Sequence, residues 1–188
     1  HALEKQNVDW GGGRNQDVLG VHEEGDFRQL CVLLVRAGKL TGSKSFTPFK
    51  TKADRGEIIS SALMQYDDAS GMPEEIILPV RLPDEEVMAE WLAEKKGKKV
   101  VLTVPRRGPK KALLEMACAN ARELFLSYRK KEEQKSAALQ ILQRKLSLSK
   151  LPRRMECYDI SNISGKSAVG SRVTFQDGEP DKTGYRRF

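Results

Sequence analysis

In RRMECYDISNISGKSAVGSRVTFQDGEP, residues 153–180, the run Met155 to Ser161 reads as a strand with Asp159 in its middle. Burying a carboxylate without partners costs several kcal/mol, so it stays charged cheaply only beside a cation. Alternation places Cys157, Asp159 and Ser161 on one face and Glu156, Tyr158 and Ile160 on the other. Two chemistries fit. A first-strand Asp can bridge two divalent ions that activate water and stabilise the leaving oxygen of a phosphodiester. The other is a strand-end Asp held by neighbouring backbone N–H groups.

The cations suggest what such a strand could work on. Arg153-Arg154 and Arg186-Arg187 flank the Asp159 strand in sequence, and adjacent strands would bring them near it, where they could hold a nucleic-acid backbone. Tyr185 could stack on a sugar or base, or pack on the sheet edge. Arg106, Arg107, Lys110 and Lys111 gather at a turn that opens a helix, where free N–H groups and four cations make either a phosphate site or a solvated turn. His22, Trp10 and Trp91 are expected to pack rather than to bind.

The whole chain has 188 residues, with 33 Lys and Arg against 26 Asp and Glu, a formal charge of +7. That excess favours a polyanionic partner. No apolar run is long enough for a membrane span. The opening HALEKQ has neither an initiator Met nor the apolar core of a signal peptide, and reads as the interior of a longer protein. Cys31, Cys118 and Cys157 lie far apart and form no CxxC, so they are expected to be buried free thiols in a reducing cytosol.

These residues must be positioned by strands and helices that the pattern also predicts. Residues 17–22, 29–36 and 40–46 read as three strands around tight turns, and 53–66 as a helix. A strand at 75–80, a helix from Asp84 to Lys95 closed by Gly97, and a strand at 99–104 follow. A long helix is expected from Lys110 to about Leu146, with the charged run Arg129–Lys135 as the place where it could break. The order β-β-β-α-β-α-β-α is that of a ribonuclease H-like fold, an α/β class with a mixed sheet. From Met155 the pattern restarts: strands at 155–161 and 168–176, and a third running to Phe188. A gapless slide of 140 positions lays Gly25 on Gly165, Gly38 on Gly178, Leu19 on Asp159 and His22 on Asn162.

The segment LPRRMECYDISNISGKSAVGSRVTFQDGEPDKTGYRRF, residues 151–188, resembles the opening of the endonuclease domain of the UvrC family, the incising subunits of bacterial excinucleases. QDVLGVHEEGDFRQLCVLLVRAGKLTGSKSF, EEIILPVRLPDEE and LLEMACANAREL resemble the region that precedes that domain in the same family. The resemblance implies four parts: residues 1–16 a linker at the tail of a segment that binds UvrB, 17–128 a degenerate RNase H-like domain, 129–152 a helical connector, and 153–188 the first strands of a truncated RNase H-like endonuclease domain.

It further implies a cytoplasmic protein of the bacterial DNA-damage (SOS) response that cuts damaged double-stranded DNA 5′ of a lesion, with Mg2+ or Mn2+ held by an Asp-Asp-His set. Asp159 is the one member of that set in this chain. The second Asp and the His are expected beyond Phe188, so the chain alone is expected to be inactive. The 3′ cut is assigned to an N-terminal nuclease domain that the sequence does not contain. The family often has His where Asn162 follows Ser161; either could orient a water or phosphate. Arg172 and Thr174 stand where the family is commonly apolar, so Arg172 must reach solvent or an anion if that face is covered. Asp177, Glu179 and Asp181 are not expected to replace the missing ligands, because they sit in and after a turn. The alternative is a non-catalytic module that binds DNA or protein.

Overall fold

The computed structural model describes residues 13–65, 73–163 and 166–188, and no side chain from 162 to 168. The chain divides between Leu126 and Ser127 into two units.

The first unit is built on a mixed sheet. Strands β1 (Gln16–Glu24), β2 (Phe27–Arg36) and β3 (Lys39–Ser45) form an antiparallel meander, and a two-residue strand β4 (Phe49–Lys50) also pairs with β2. β5 (Glu75–Ile77) adds parallel to β1, and β6 (Val101–Thr103) parallel to β5, giving the order β3-β2-β1-β5-β6. The near-continuous apolar run of β2 is what a strand covered on both faces requires. Leu30, Cys31, Val32, Leu33 and Val35 are all buried.

Helices α1 (Arg55–Met64) and α2 (Glu85–Lys96) cover one face through Ile58, Ile59, Leu63, Met88 and Leu92, which pack on Leu19, Val21, Leu30, Val32 and Ile76. Asp54 and Glu57 close a capping box at the start of α1, and Gly97, with φ 72°, ends α2 in the left-handed conformation. Helix α3 (Pro109–Lys145) covers the other face through Leu113, Leu114, Ala117 and Ala121, which pack on Val18, Cys31, Leu33, Val35 and Ile77.

Strands β5 and β6 are shorter than their apolar runs predict. Helix α3 is also unbroken at Arg129–Lys135. Charge does not end it there because the run pairs along the helix, Arg129 with Glu133 at 3.4 Å and Lys135 with Glu132 at 2.6 Å. The last turns of α3 belong to the second unit.

In the second unit β7 (Arg154–Ile163) and β8 (Lys166–Gln176) form a long antiparallel hairpin. The expected third strand does not run to Phe188. It is divided into β9 (Glu179–Pro180), a 3-10 turn at Lys182–Gly184 and β10 (Arg186–Arg187), with β9 and β10 both on β8. The interruption has a local cause: Asp181 accepts from Thr183 N at 3.1 Å and from Thr183 Oγ1 at 2.6 Å, capping the turn. Here α3 packs through Leu139 near Gly178, and Lys135 meets Glu179 at 2.7 Å.

Candidate nucleic-acid interface

Among the described residues β7 pairs with β8 alone, so the strand that carries Asp159 is an edge. The Asp159 side chain is exposed, and Ser161 Oγ donates to its Oδ2 at 3.1 Å. Asp159 is paired with Ser171 of β8, and Ser171 with Arg187 of β10. Directly opposed residues share a face. Asp159, Ser171 and Arg187 therefore form one row across three strands, with Arg187 about 10 Å from Asp159 at ordinary strand spacing.

The same registers sort the other arginines. Arg186 opposes Arg172, which opposes Tyr158, so Arg186 lies on the face away from Asp159. Its guanidinium donates to the carbonyls of Thr183 at 2.9 Å and Tyr185 at 2.7 Å. Arg154 is on that opposite face too, paired with Glu156. Arg153 precedes β7, 3.7 Å from Asp177, and Tyr185 is about one-third exposed beside β10.

Arg172 is partly exposed, and the anion it reaches belongs to the same sheet. It donates to the Gly184 carbonyl at 3.1 Å and faces Glu156 at 3.6 Å. Thr174 is buried beneath Gly184, to whose carbonyl its hydroxyl donates. Asp177, Glu179 and Asp181 are engaged with Arg153, Lys135 and Thr183 respectively. The backbone of Asn162 lies in β7, but its side chain is outside the described residues, as is Trp10. Of the cysteines only Cys31 is fully buried, where burial pushes its thiol up to about 11; Cys157 is exposed on the Asp159 strand, contrary to the expectation that all three are buried. His22 packs its ring 5.1 Å from that of Phe125.

The basic cluster at the start of α3 is divided by a buried acid that sequence reading missed. Glu75 is 3% exposed. It accepts from Lys110 Nζ at 2.6 Å, Thr103 Oγ1 at 2.5 Å and Gln16 Nε2 at 2.7 Å. Lys110 thus neutralises a core carboxylate, Lys111 lies 3.5 Å from Glu115, and Arg106 and Arg107 remain exposed at the turn. Burial pushes the Glu75 carboxyl up, but Lys110, Thr103 and Gln16 together hold it below its ordinary 4.5. A carboxyl depressed by folding stabilises above its unfolded value, and that contribution fades as pH falls through the folded value. Glu75→Gln is expected to cost about 1–3 kcal/mol at neutral pH. It should also flatten the acid-side loss of stability below the ordinary carboxylate value, read by urea unfolding across pH. An unchanged slope would show that Glu75 is not the titrating group.

The two hairpins can be compared residue by residue. The Ala37-Gly38 turn has φ of 50° and 74°, and the Asp177-Gly178 turn 49° and 84°. They close Arg36 on Lys39 and Gln176 on Glu179. Counting back from these turns, Cys31 corresponds to Ser171. Cys31 opposes Gly20, and Ser171 opposes Asp159. The counterpart of Asp159 is therefore Gly20, not Leu19. The gapless slide fails at the first turn, where β7 and β8 shift register between Ser161 and Ile163. Leu19 is buried against the α1–α2 face, whereas a Cβ on Gly20 would lie 2.1 Å from the backbone carbon of Ala117. Helix α3 occupies the place that a carboxylate would need.

The family model described as UvrC Ribonuclease H-like domain matches residues 15–128. The chain belongs to the UvrC family. A second model, UvrC RNAse H endonuclease domain, matches residues 143–188. The UvrABC system protein C of Syntrophus aciditrophicus (strain SB) is 42% identical over 188 residues, which is 100% of this chain and 30% of that protein. The protein of the same name from Anaeromyxobacter sp. (strain Fw109-5) is 43% identical over 187 residues, covering 100% of this chain and 26% of its own length. This UvrC chain thus spans less than a third of these curated relatives. A solved structure, RNase H1 from the halophilic archaeon Halobacterium salinarum NRC-1, aligns with 61% of the chain and 99% of its own length, at 19% identity and a TM-score of 0.39.

Proposed function

We propose that this segment belongs to a nucleotide excision repair endonuclease that cuts damaged double-stranded DNA 5′ of a lesion, and that Asp159 is one of its metal ligands. The observation that carries the reading is the row Asp159–Ser171–Arg187, an exposed carboxylate and a cation on one face of a hairpin inside the residues that match the family's endonuclease model. Arg187 would hold a DNA phosphate beside the carboxylate. Arg153 and Tyr185 could add contacts nearby, and Arg106 and Arg107 form a separate phosphate contact at the start of α3. The reading also carries UvrB as a partner through the upstream residues 1–16, and a place in the bacterial cytoplasm. Among the described residues no helix is long and apolar enough to cross a membrane.

Asp159 and Ser161 offer oxygen donors of the type that Mg2+ or Mn2+ prefers, but each ion takes about six. Among the described residues no three His, Cys, Asp or Glu side chains gather to hold an ion. Asp159 fits one position of a ligand set and does not make a set, so the other ligands would come from outside the described residues. The 188-residue chain is therefore expected to show no nicking of lesion-containing duplex with either ion. Nicking that vanishes in Asp159→Ala would place the remaining ligands within this chain. DNA binding that weakens in Arg187→Ala but not in Arg186→Ala is expected from the face each occupies. Equal loss in both would reject the row as the phosphate contact.

A further inference from the structure

The α1–α2 side of the first unit carries a surface that the nuclease reading does not use. Met64 is 59% exposed, Val87 66% and Trp91 37%. Together with Ser60, Asp84 and Met88 they line a pocket of about 250 Å³ between the two helices. Val87 and Trp91, four residues apart on α2, make one apolar stripe. Glu86, Glu90 and Glu94 make a second stripe immediately beside it, and all three are exposed.

Like charges at this spacing weaken an isolated helix, and α2 offers no cation before Lys95 to offset them. The arrangement is unusual in a chain of net +7. It repels phosphate, so nucleic acid is a poor occupant. The indole already attracts a cation, since Lys95 Nζ lies 5.3 Å from the centre of the Trp91 ring. An apolar pocket large enough for one big side chain, an exposed Trp and a flanking acidic stripe match one kind of occupant by charge and shape.

We propose that the α1–α2 groove receives a basic amphipathic helix of a partner protein, with one large apolar side chain of that helix seated between Met64, Val87 and Trp91. The partner's lysines or arginines lie along Glu86, Glu90 and Glu94.

The test uses two synthetic helices of about 15 residues with the same leucine pattern, one with lysine and one with glutamate on its polar face. Trp10→Phe leaves Trp91 as the sole tryptophan of the chain. The lysine helix is expected to give a saturable blue shift of Trp91 emission, and the glutamate helix none. Affinity should fall at least about tenfold in Val87→Ser, and again in the double variant Glu86→Lys, Glu90→Lys, because apolar and charged contacts both contribute. Val87 and the two glutamates are exposed, so circular dichroism should be unchanged in both variants. No shift with the lysine helix overturns the proposal, as does equal affinity in Val87→Ser. Self-association of the chain without peptide, lost in Val87→Ser, would assign the groove to a second copy and also overturn it.

Discussion

Asp159→Ala in the longer protein is expected to abolish incision 5′ of a lesion while leaving the 3′ incision intact. This follows from the proposed role of Asp159 as a shared metal ligand, which no neighbour could take over. Among the described residues no second acid lies ready, and Asp177, Glu179 and Asp181 are each engaged elsewhere. Loss of at least about three orders of magnitude in rate is expected, corresponding to about 4 kcal/mol of transition-state stabilisation. DNA binding should persist, because phosphate contacts by arginine do not need the carboxylate. Ser161→Ala should do less. Its hydroxyl donates to Asp159 Oδ2 and orients that oxygen without replacing it. A lesion duplex labelled at each end in turn, with incision measured separately at the two sites, reads both effects. Undiminished 5′ incision in Asp159→Ala would reduce the residue to a strand-end acid hydrogen-bonded by Ser161.

Much of this was legible in the sequence because periodicity and turn chemistry are local. The apolar run of β2 marked a strand covered on both faces, and Gly38 and Gly178 marked tight turns whose positive φ favours glycine. The alternation about Asp159 placed Cys157 and Ser161 on its face. What escaped was set by pairing. One extra residue before the second hairpin's turn shifts β7 against β8, so counting along the chain assigned Leu19 where the register assigns Gly20. Adjacent arginines also look equivalent in sequence, yet one step along β10 sends Arg186 and Arg187 to opposite faces. Glu75 reads as an ordinary strand-start acid. Only the fold brings Lys110, 35 positions away, onto it, and with it removes one cation from the basic cluster.

Gly20→Ala is expected to be the most destabilising single-methyl change in the first unit. Its Cβ would sit 2.1 Å from Ala117 C, 2.2 Å from Ala117 O and 2.5 Å from Cys118 N. These are backbone atoms of α3, so no side-chain rotation can relieve the contact. Helix α3 must withdraw from β1, and with it Leu113, Leu114, Ala117 and Ala121 leave the face formed by Val18, Leu33 and Ile77. Overpacking typically costs about 1–3 kcal/mol, and displacement of a whole helix puts this change at or above the upper end. Gly42→Ala is the control. Its nearest neighbour is a Leu34 methyl at 4.0 Å, so it should shift the urea midpoint little or raise it. Gly20→Asp would return a carboxylate to the counterpart of Asp159, yet it should be worse than Gly20→Ala, since it adds an unpaired charge to the same clash. Neither variant can therefore place a side chain on this face without displacing α3: the glycine that lets α3 close on the sheet and a carboxylate exclude one another at this position. Urea unfolding of the three variants measures the claim, and a Gly20→Ala midpoint equal to that of the unaltered chain would mean that α3 does not rest on β1 at Gly20.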